Sequence, residues 1–394
     1  MSNQEQFGNA IAPSSRRRFL EQAGAPGVSS LALASFLEAC SSSSTTSTTA
    51  GSNVNMAGPI DMQTLITHAK KEGKLQAISI APEWVDQKDT LAGYAAKYVP
   101  VEYQAEAELS SAKDLEVFKK SKSHAHGDIS QVGFKFGPQA MKQGLVTPYK
   151  HANWADIPDT LKDSDGNWCT AYYGTQAFVI NTDIVKNEPT SFKDLLTGDY
   201  KNQVGIGGDP RQSNVAFIGV YSAALAQSGS INDIQPGIDF FKQLKQKGNF
   251  TPASANLANM TKGEVAIGIM WDFAGLGYRD LLNGKPHLKV VIPSDGSVAG
   301  PYVSIVNKTA PDPFAARLWI EYIFSDEGQL FFLKGYAHPA RYRKLVDAGK
   351  VPAELSAKLP VAEQYANVKF VTDLTLLSKA SDTITQNWPS VIGQ

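Results

Sequence analysis

The run Val265-Ala266-Ile267-Gly268-Ile269-Met270 leads directly into Trp271-Asp272-Phe273, a pattern typical of a buried strand that ends in aromatic and polar residues. Other apolar runs of strand length occur at 75–80, 128–132, 204–206 and 288–292. Segments with helical periodicity separate them, so strands alternate with helices along the chain. This alternation predicts an α/β fold with largely parallel sheets.

Helix boundaries are most visible in the last third of the chain. Asp312 precedes Pro313, and we expect Asp312 to cap a helix whose first residue is Pro313. Ser325 is expected to begin a second helix, because Asp326 and the next residue place negative charge in its first turn. Gly335 is placed to end that helix.

The N-terminal segment is typical of an export signal. Arg16 and Arg17 lie in a basic cluster that precedes a short apolar stretch, as in twin-arginine signals. Small residues precede Cys40, which is predicted to receive diacylglycerol and to become the mature N-terminus. Residues 1–39 are therefore predicted to be a signal peptide that is removed. Because Glu38 is unusual in a lipoprotein processing box, cleavage by an ordinary signal peptidase near residue 34 is the alternative.

Residues 40–57 are predicted to form a tether, because the segment after Cys40 is rich in Ser and Thr and too polar to build a core. A lipid on Cys40 would leave Cys169 without a partner, so disulfide bonds are not expected to stabilise the protein. About 335 residues follow the tether, more than one hydrophobic core usually serves, which predicts two lobes.

Charge excludes some classes of partner. The formal net charge of −1 leaves no field that would attract nucleic acid or an anionic membrane surface. No cofactor or metal ion is expected, and we expect a monomer.

The residues at the ends of the predicted strands are mainly aromatic, with a few charges among them. In open parallel sheets ligands bind beyond the carboxyl ends of the strands, so these residues are candidates for ligand contact. The candidates are Glu83, Trp84, Phe134, Tyr172, Tyr173, Asp209, Arg211, Ser213, Trp271 and Asp272. This composition predicts a cleft that holds a small polar solute between ring faces and a few charged groups. A packing pair is the alternative for the two tyrosines, and a simple turn for 209–211.

Several segments after about residue 129 resemble the extracellular solute-binding proteins of ABC importers, in the branch that includes ferric, phosphonate and spermidine/putrescine receptors. The segments that carry the resemblance are 132–137, 165–168, 172–174, 181–183, 208–214, 325–329 and 335–339. The resemblance implies a type II periplasmic-binding-protein fold, in which two α/β lobes close on the ligand. By analogy, 58–176 and 300–394 would form the first lobe and 177–299 the second.

The analogy places the crossings between the lobes near 174–179 and 295–302, so Tyr302 at the second crossing is a further candidate for ligand contact. The resemblance also implies a membrane permease as partner. The export signal and the resemblance together predict a location in the periplasm or at the outer face of the cytoplasmic membrane, with a lipid anchor at Cys40.

Several solutes fit the predicted cleft. A polyamine or similar organic cation would use carboxylates such as Glu83, Asp86 and Asp272 with the aromatic faces. Arg211 and Ser213 at a predicted helix start would instead suit a phosphonate or phosphate ester. Ferric receptors generally use neighbouring tyrosines late in the second lobe, whereas the adjacent pair of this chain lies at 172–173, which disfavours iron.

An exported enzyme is the alternative class of function. The sequence contains neither a Gly-x-Ser-x-Gly nor a His-Glu-x-x-His motif, which favours a binding protein.

Overall fold

The computed structural model describes residues 56–82, 84–104, 110–120, 126–360 and 362–392. The predicted signal peptide with Arg16 and Arg17, the lipidation residue Cys40, most of the tether and the candidate Glu83 lie outside the described residues. Within the described ranges, the search for a helix both long and apolar enough to cross a bilayer found none.

Helices and strands alternate through most of the described chain. The helices are α1 Met62–Glu72, α2 Gln87–Lys97, α3 Ser111–Lys120, α4 Phe136–Lys142, α5 Phe192–Thr197, α6 Asn214–Ser228, α7 Gln235–Gln246, α8 Leu257–Lys262, α9 Asp272–Leu282, α10 Pro313–Ile323, α11 Asp326–Lys334, α12 Tyr342–Asp347, α13 Ala353–Ser356 and α14 Leu374–Ile392. The strands are β1 Leu75–Ile78, β2 Val101–Gln104, β3 Ile129–Gly133, β4 Cys169–Asn181, β5 Val204–Ile206, β6 Ile267–Trp271, β7 Leu288–Val291, β8 Val298–Val306, β9 His338–Pro339 and β10 Lys369–Phe370. Each of the five apolar runs predicted to be strands overlaps one of these strands.

Strand β4 joins two sheets. Its residues 169–175 pair antiparallel with β8, whereas 176–180 pair antiparallel with β6. The hydrogen-bonded order is β2-β1-β3-β8-β4-β6-β5, with β7 and β9 also beside β4 and β10 beside β8. Parallel pairs lie at both ends of this order, but β3–β8 and all pairings of β4 are antiparallel, so the sheets are less parallel than predicted.

The first sheet contains a reversal of strand order at β1. Strand β1 is parallel to β2 on one side and to β3 on the other. The chain therefore runs from β1 to β2 and then crosses back over β1 to reach β3. Right-handed crossovers place α2 and α3 on opposite faces of this sheet. The crevice between the carboxyl ends of β1 and β3 is where ligands bind in sheets of this kind.

In the second sheet, the loop after β5 and the end of β6 lie at the same edge, because the two strands are parallel. Gly208 in that loop has a φ of 109°, a conformation that glycine adopts without strain. The loop then enters α6, where the Ser213 side chain accepts a hydrogen bond from the Ala216 N–H. Strand β6 passes into α9 without a loop, so Trp271 and Asp272 lie at the junction.

One helix cap differs from the prediction. The Asp312 side chain makes no cap bond to α10 and instead accepts a hydrogen bond from the Gln76 side chain at 3.1 Å. The N–H groups of Phe314 and Ala315 donate to the carboxylate of Glu72, which caps α10 from α1. A carboxylate distant in sequence has therefore replaced the local cap. In α11, by contrast, Ser325 accepts from Gly328 N–H, and the helix ends at Gly335 as predicted.

The C-terminal helix α14 packs against helices that follow β5. The ring of Trp388 contacts that of Phe241 in α7 edge to face at 5.4 Å, and the Tyr221 hydroxyl of α6 donates to the Leu376 carbonyl. The lobe boundaries predicted from the sequence assign 374–392 to the first lobe. These contacts instead join α14 to α6 and α7, which lie within 177–299. The boundaries themselves stay a prediction.

Candidate functional site

A cavity of about 440 Å³ lies where the carboxyl ends of the two parallel strand sets face each other. Residues after β1 line it on one side, and the loop 207–213 with the end of β6 lines it on the other. Its volume falls in the usual range for a small-molecule site. The position agrees with the predicted cleft.

The structure brings six of the described candidates to this cavity: Trp84, Tyr172, Asp209, Ser213, Trp271 and Tyr302. Four others do not line it: Phe134, Tyr173, Arg211 and Asp272.

Four of the lining residues are linked aromatic side chains. The Trp84 Nε1 donates to the Tyr172 hydroxyl at 3.0 Å, and the Trp271 Nε1 donates to the Tyr302 hydroxyl at 3.1 Å. The Tyr172 and Tyr302 rings stack at 5.2 Å. Because both indole N–H groups are satisfied within the protein, the two tryptophans are held in place and offer ring faces and edges rather than donors to a solute.

The placement of Asp272 in the cleft is corrected by the structure. Its carboxylate is fully buried and accepts from the backbone N–H of Thr175 and Phe273 and from the Tyr365 hydroxyl. Burial raises the pKa of Asp272 to about 6, although these three donors act to lower it. As the first residue of α9, Asp272 turns into the protein and anchors the β6–α9 junction.

Arg211 does not face the cavity because its charge is used locally. Its guanidinium donates to both carboxylate oxygens of Asp209 at 2.6–3.0 Å. Burial acts to raise the pKa of Asp209, but the Arg211 donors outweigh it and the pKa is lowered. The pair places a neutralised carboxylate, not a free guanidinium, at the cavity edge.

Tyr173 and Phe134 also lie away from the cavity. Side chains alternate along a strand, so Tyr173 points away from its neighbour Tyr172 and stacks on His338 at 5.1 Å. Phe134 is buried and contacts the Trp168 ring edge to face at 5.1 Å. Asp86, considered earlier as a carboxylate for a cation, instead forms an ion pair with Lys334 at 3.3 Å.

Asp114 is a buried carboxylate that lines the cavity and was not among the predicted site residues. Its two oxygens accept hydrogen bonds from the hydroxyls of Ser79 and Ser130 at 2.6 and 2.9 Å. Burial raises the pKa of Asp114 to about 7, although the two hydroxyls act to lower it. Among the described residues, no lysine or arginine lines the cavity, so no basic side chain there balances this carboxylate.

Two glutamines were missed as well. Gln87 is the first residue of α2 and Gln131 lies on β3, on either side of the strand-order reversal. Both are buried and both line the cavity. The signal that could have found these two glutamines is their position in the first turn of a helix or on a strand at the crevice.

The helices α3 and α6 both begin at the cavity. Ser111 starts α3, and its hydroxyl accepts from the Gly133 N–H at 3.0 Å. Asn214 starts α6 and lies so close to Gly133 that a Cβ there would overlap its side chain. Glycine at 133 therefore permits the two sides of the cavity to approach each other.

In the described part of the chain, no group of three or more His, Cys, Asp or Glu residues is arranged to hold a metal ion.

Solved structures of periplasmic binding proteins share this fold. AfuA from Actinobacillus pleuropneumoniae, bound to fructose-6-phosphate, is 17% identical, with 79% of this chain and 97% of that chain covered at a TM-score of 0.63. The spermidine/putrescine protein PotD from Streptococcus pneumoniae is 18% identical, with coverages of 81% and 99% and a TM-score of 0.56. A ferric binding protein from Campylobacter jejuni is 14% identical, with coverages of 80% and 99% and a TM-score of 0.60. The fold is therefore the two-lobed type II periplasmic-binding-protein fold.

The sequence profile of the bacterial extracellular solute-binding proteins matches residues 129–364. The chain belongs to this family, as its resemblance predicted. Members of the family bind solutes for transport rather than convert them, which confirms the expectation that this protein is not an enzyme.

Proposed function

We propose that this protein is the binding component of an ABC importer for a small organic cation, and that Asp114 binds the cationic group. The observation that carries the proposal is a buried carboxylate that lines the cavity with no basic partner there among the described residues. A protonated amine would supply the missing charge.

The electrostatics of Asp114 favour a cationic ligand. Two serine hydroxyls stabilise its negative charge, yet burial still raises its pKa to about 7. An ionised carboxylate in a cavity is costly without a counter-charge, and a bound ammonium would remove most of that cost. A bound phosphate or carboxylate would instead add like charge beside Asp114.

The aromatic side chains support the same class of solute. Trp84, Tyr172 and Tyr302 present ring surface to the cavity, and their positions are fixed by mutual hydrogen bonds and stacking. Such rings attract ammonium groups through their faces and cover the methylene carbons of an aliphatic amine. The spermidine/putrescine protein among the structural relatives is consistent with an aliphatic amine, either a polyamine or a similar organic cation.

A small anion, such as a phosphonate or phosphate ester, is the second candidate. The start of α6 favours it, because Ser213 and Asn214 line the cavity at the positive end of the helix. AfuA, with its bound sugar phosphate, shares the fold. The ion pair between Arg211 and Asp209 weakens this candidate, since the guanidinium charge is already neutralised. Ferric iron, the cargo of another relative, is less favoured.

We further propose that the protein is a monomer that is exported by a twin-arginine signal and anchored by lipid at Cys40. Residues 58–176 with most of 300–394 would form one lobe and 177–299 the other, closing around the solute as a hinge. The closed form would be the one that the permease recognises.

A thermal-shift screen of the purified protein tests the solute class. Putrescine, spermidine, aminoethylphosphonate, phosphate esters and ferric citrate would be compared, because a bound ligand raises the melting temperature. We expect a rise with amines in the parent protein and a smaller rise at the same amine concentration in Asp114→Asn. A rise confined to the phosphate esters would overturn the cationic assignment in favour of the α6 start.

A further inference from the structure

Gln87 and Gln131 lie on opposite sides of the crevice between β1 and β3 and contact each other across it. The Gln87 Nε2 donates to the Gln131 Oε1 at 2.7 Å. The other halves of the two amides, Gln87 Oε1 and Gln131 Nε2, are buried and have no hydrogen-bond partner among the described residues. Both residues are more than nine-tenths buried and both line the cavity.

The hydrogen-bonding capacity of this pair does not depend on how the amides are oriented. If both amides were turned over, Gln131 would donate to Gln87 and the remaining groups would again be one N–H donor and one carbonyl acceptor. The pair therefore leaves one donor and one acceptor without a partner in either arrangement.

A buried polar group without a partner is destabilising, so a solute that satisfies both groups gains affinity over one that satisfies neither. An ammonium group only donates and would leave the Gln131 N–H without a partner. A carboxylate or phosphate only accepts and would leave the Gln87 carbonyl without one. A hydroxyl or a carboxamide can both donate and accept.

We infer that the glutamine pair binds a neutral hydroxyl or carboxamide group of the solute, so that the transported compound is an amino alcohol or amino amide rather than a simple diamine. The inference rests on the proposed function, because it adds a second recognition group to the cationic site at Asp114. Asp114 and the glutamine pair both line the same cavity.

Three amines of equal chain length test this inference. Pentylamine, 4-aminobutanol and putrescine share one ammonium end and differ only at the other end, which is a methyl, a hydroxyl or a second ammonium group. Titration calorimetry on the full-length protein would give the three affinities. We expect 4-aminobutanol to bind at least tenfold more tightly than pentylamine and more tightly than putrescine.

Gln131→Met and Gln87→Met serve as variants, because methionine keeps the length of the side chain and removes the amide. Each is expected to reduce the preference for 4-aminobutanol over pentylamine to less than threefold, whatever its absolute affinity for pentylamine. A cooperative thermal unfolding transition shows that the variant is folded.

The outcomes separate the inference from the proposed function. Equal affinities for the three amines, or an undiminished preference in both methionine variants, would overturn the role of the glutamines and leave the cationic site in place. Tighter binding of putrescine than of 4-aminobutanol would do the same. Failure of all three amines to bind would overturn the proposed function and this inference with it.

Discussion

The Tyr365 hydroxyl donates to Asp272 Oδ2 at 2.9 Å, and this bond ties the segment before β10 to the first turn of α9. Asp272 follows Trp271 directly, yet only Trp271 lines the cavity. The two neighbours therefore differ in position: the indole lies against the cavity, and the carboxylate holds the junction between β6 and α9.

Asp272→Ala is predicted to destabilise the protein without weakening solute binding. The substitution leaves the N–H groups of Thr175 and Phe273 and the Tyr365 hydroxyl without their acceptor, which should lower the free energy of unfolding by at least about 2 kcal/mol. Urea denaturation measures the loss, and calorimetry at a temperature well below the transition measures affinity. A stable variant that fails to bind would instead assign Asp272 to the site.

Gly300→Ala is predicted to disturb the aromatic cluster. A Cβ on Gly300 would overlap the Trp271 ring, so the indole must shift and its bond to Tyr302 must weaken. We expect a loss of about 1–3 kcal/mol in unfolding free energy, with altered tryptophan fluorescence.

Gly277→Ala is the matched control, because nothing lies within 4 Å of its Cβ position in α9. It should stabilise the helix by about 0.5–1 kcal/mol. Equal effects of the two substitutions would contradict this account.

Amine affinity is predicted to fall as the pH drops below 7. Burial raises the pKa of Asp114 to about 7 in the free protein, and a bound ammonium lowers it. Above pH 7 the carboxylate is already ionised and affinity should be constant. Below pH 7 binding must expel a proton, so the dissociation constant should rise by up to about tenfold per pH unit.

The titration of Lys135 must be distinguished from that of Asp114, because burial lowers the pKa of Lys135 to about 7 as well. Asp209 lies near Lys135 and acts to raise that pKa. In Asp114→Asn the residual amine affinity should no longer vary between pH 6 and 8, whereas Lys135→Met should keep the pH dependence. A profile that is unchanged in Asp114→Asn would show that another group titrates.

Membrane attachment is predicted to depend on Cys40. Cys40→Ser should abolish labelling with a radioactive fatty acid and move the protein from the membrane fraction to the soluble fraction. Replacing Arg16 and Arg17 with lysine should leave the precursor uncleaved inside the cell. Membrane retention of an unlabelled Cys40→Ser protein would argue against the anchor.

The sequence predicted the fold better than the site, for a physical reason. Apolar runs such as 204–206 and 265–270 must be buried wherever they lie, so their periodicity alone identifies the strands. Whether a polar residue after a strand faces a cleft or anchors a helix depends on neighbours that are distant in sequence. Tyr365, for example, lies 93 positions from Asp272.

Asp114 is the opposite case to Asp272, because it lines the cavity but was not predicted to contact the solute. It lies in α3 among lysines and another acidic residue, a pattern typical of a solvated helix face. Its carboxylate accepts hydrogen bonds from Ser79, which directly follows β1, and from Ser130, which lies on β3. Only the arrangement of β1, β3 and α3 brings these three side chains together, and no local pattern announces it.

Titration calorimetry of spermidine, putrescine and 4-aminobutanol binding to the parent protein, Asp114→Asn and the exposed control Asp165→Asn tests the central claim most directly. Hydrogen bonds to charged groups contribute about 1.5–3 kcal/mol, so Asp114→Asn should weaken the best of these amines by about tenfold or more, while Asp165→Asn binds as the parent does. An Asp114→Asn protein that binds the amine as tightly as the parent would contradict the assignment of Asp114 as the cation site.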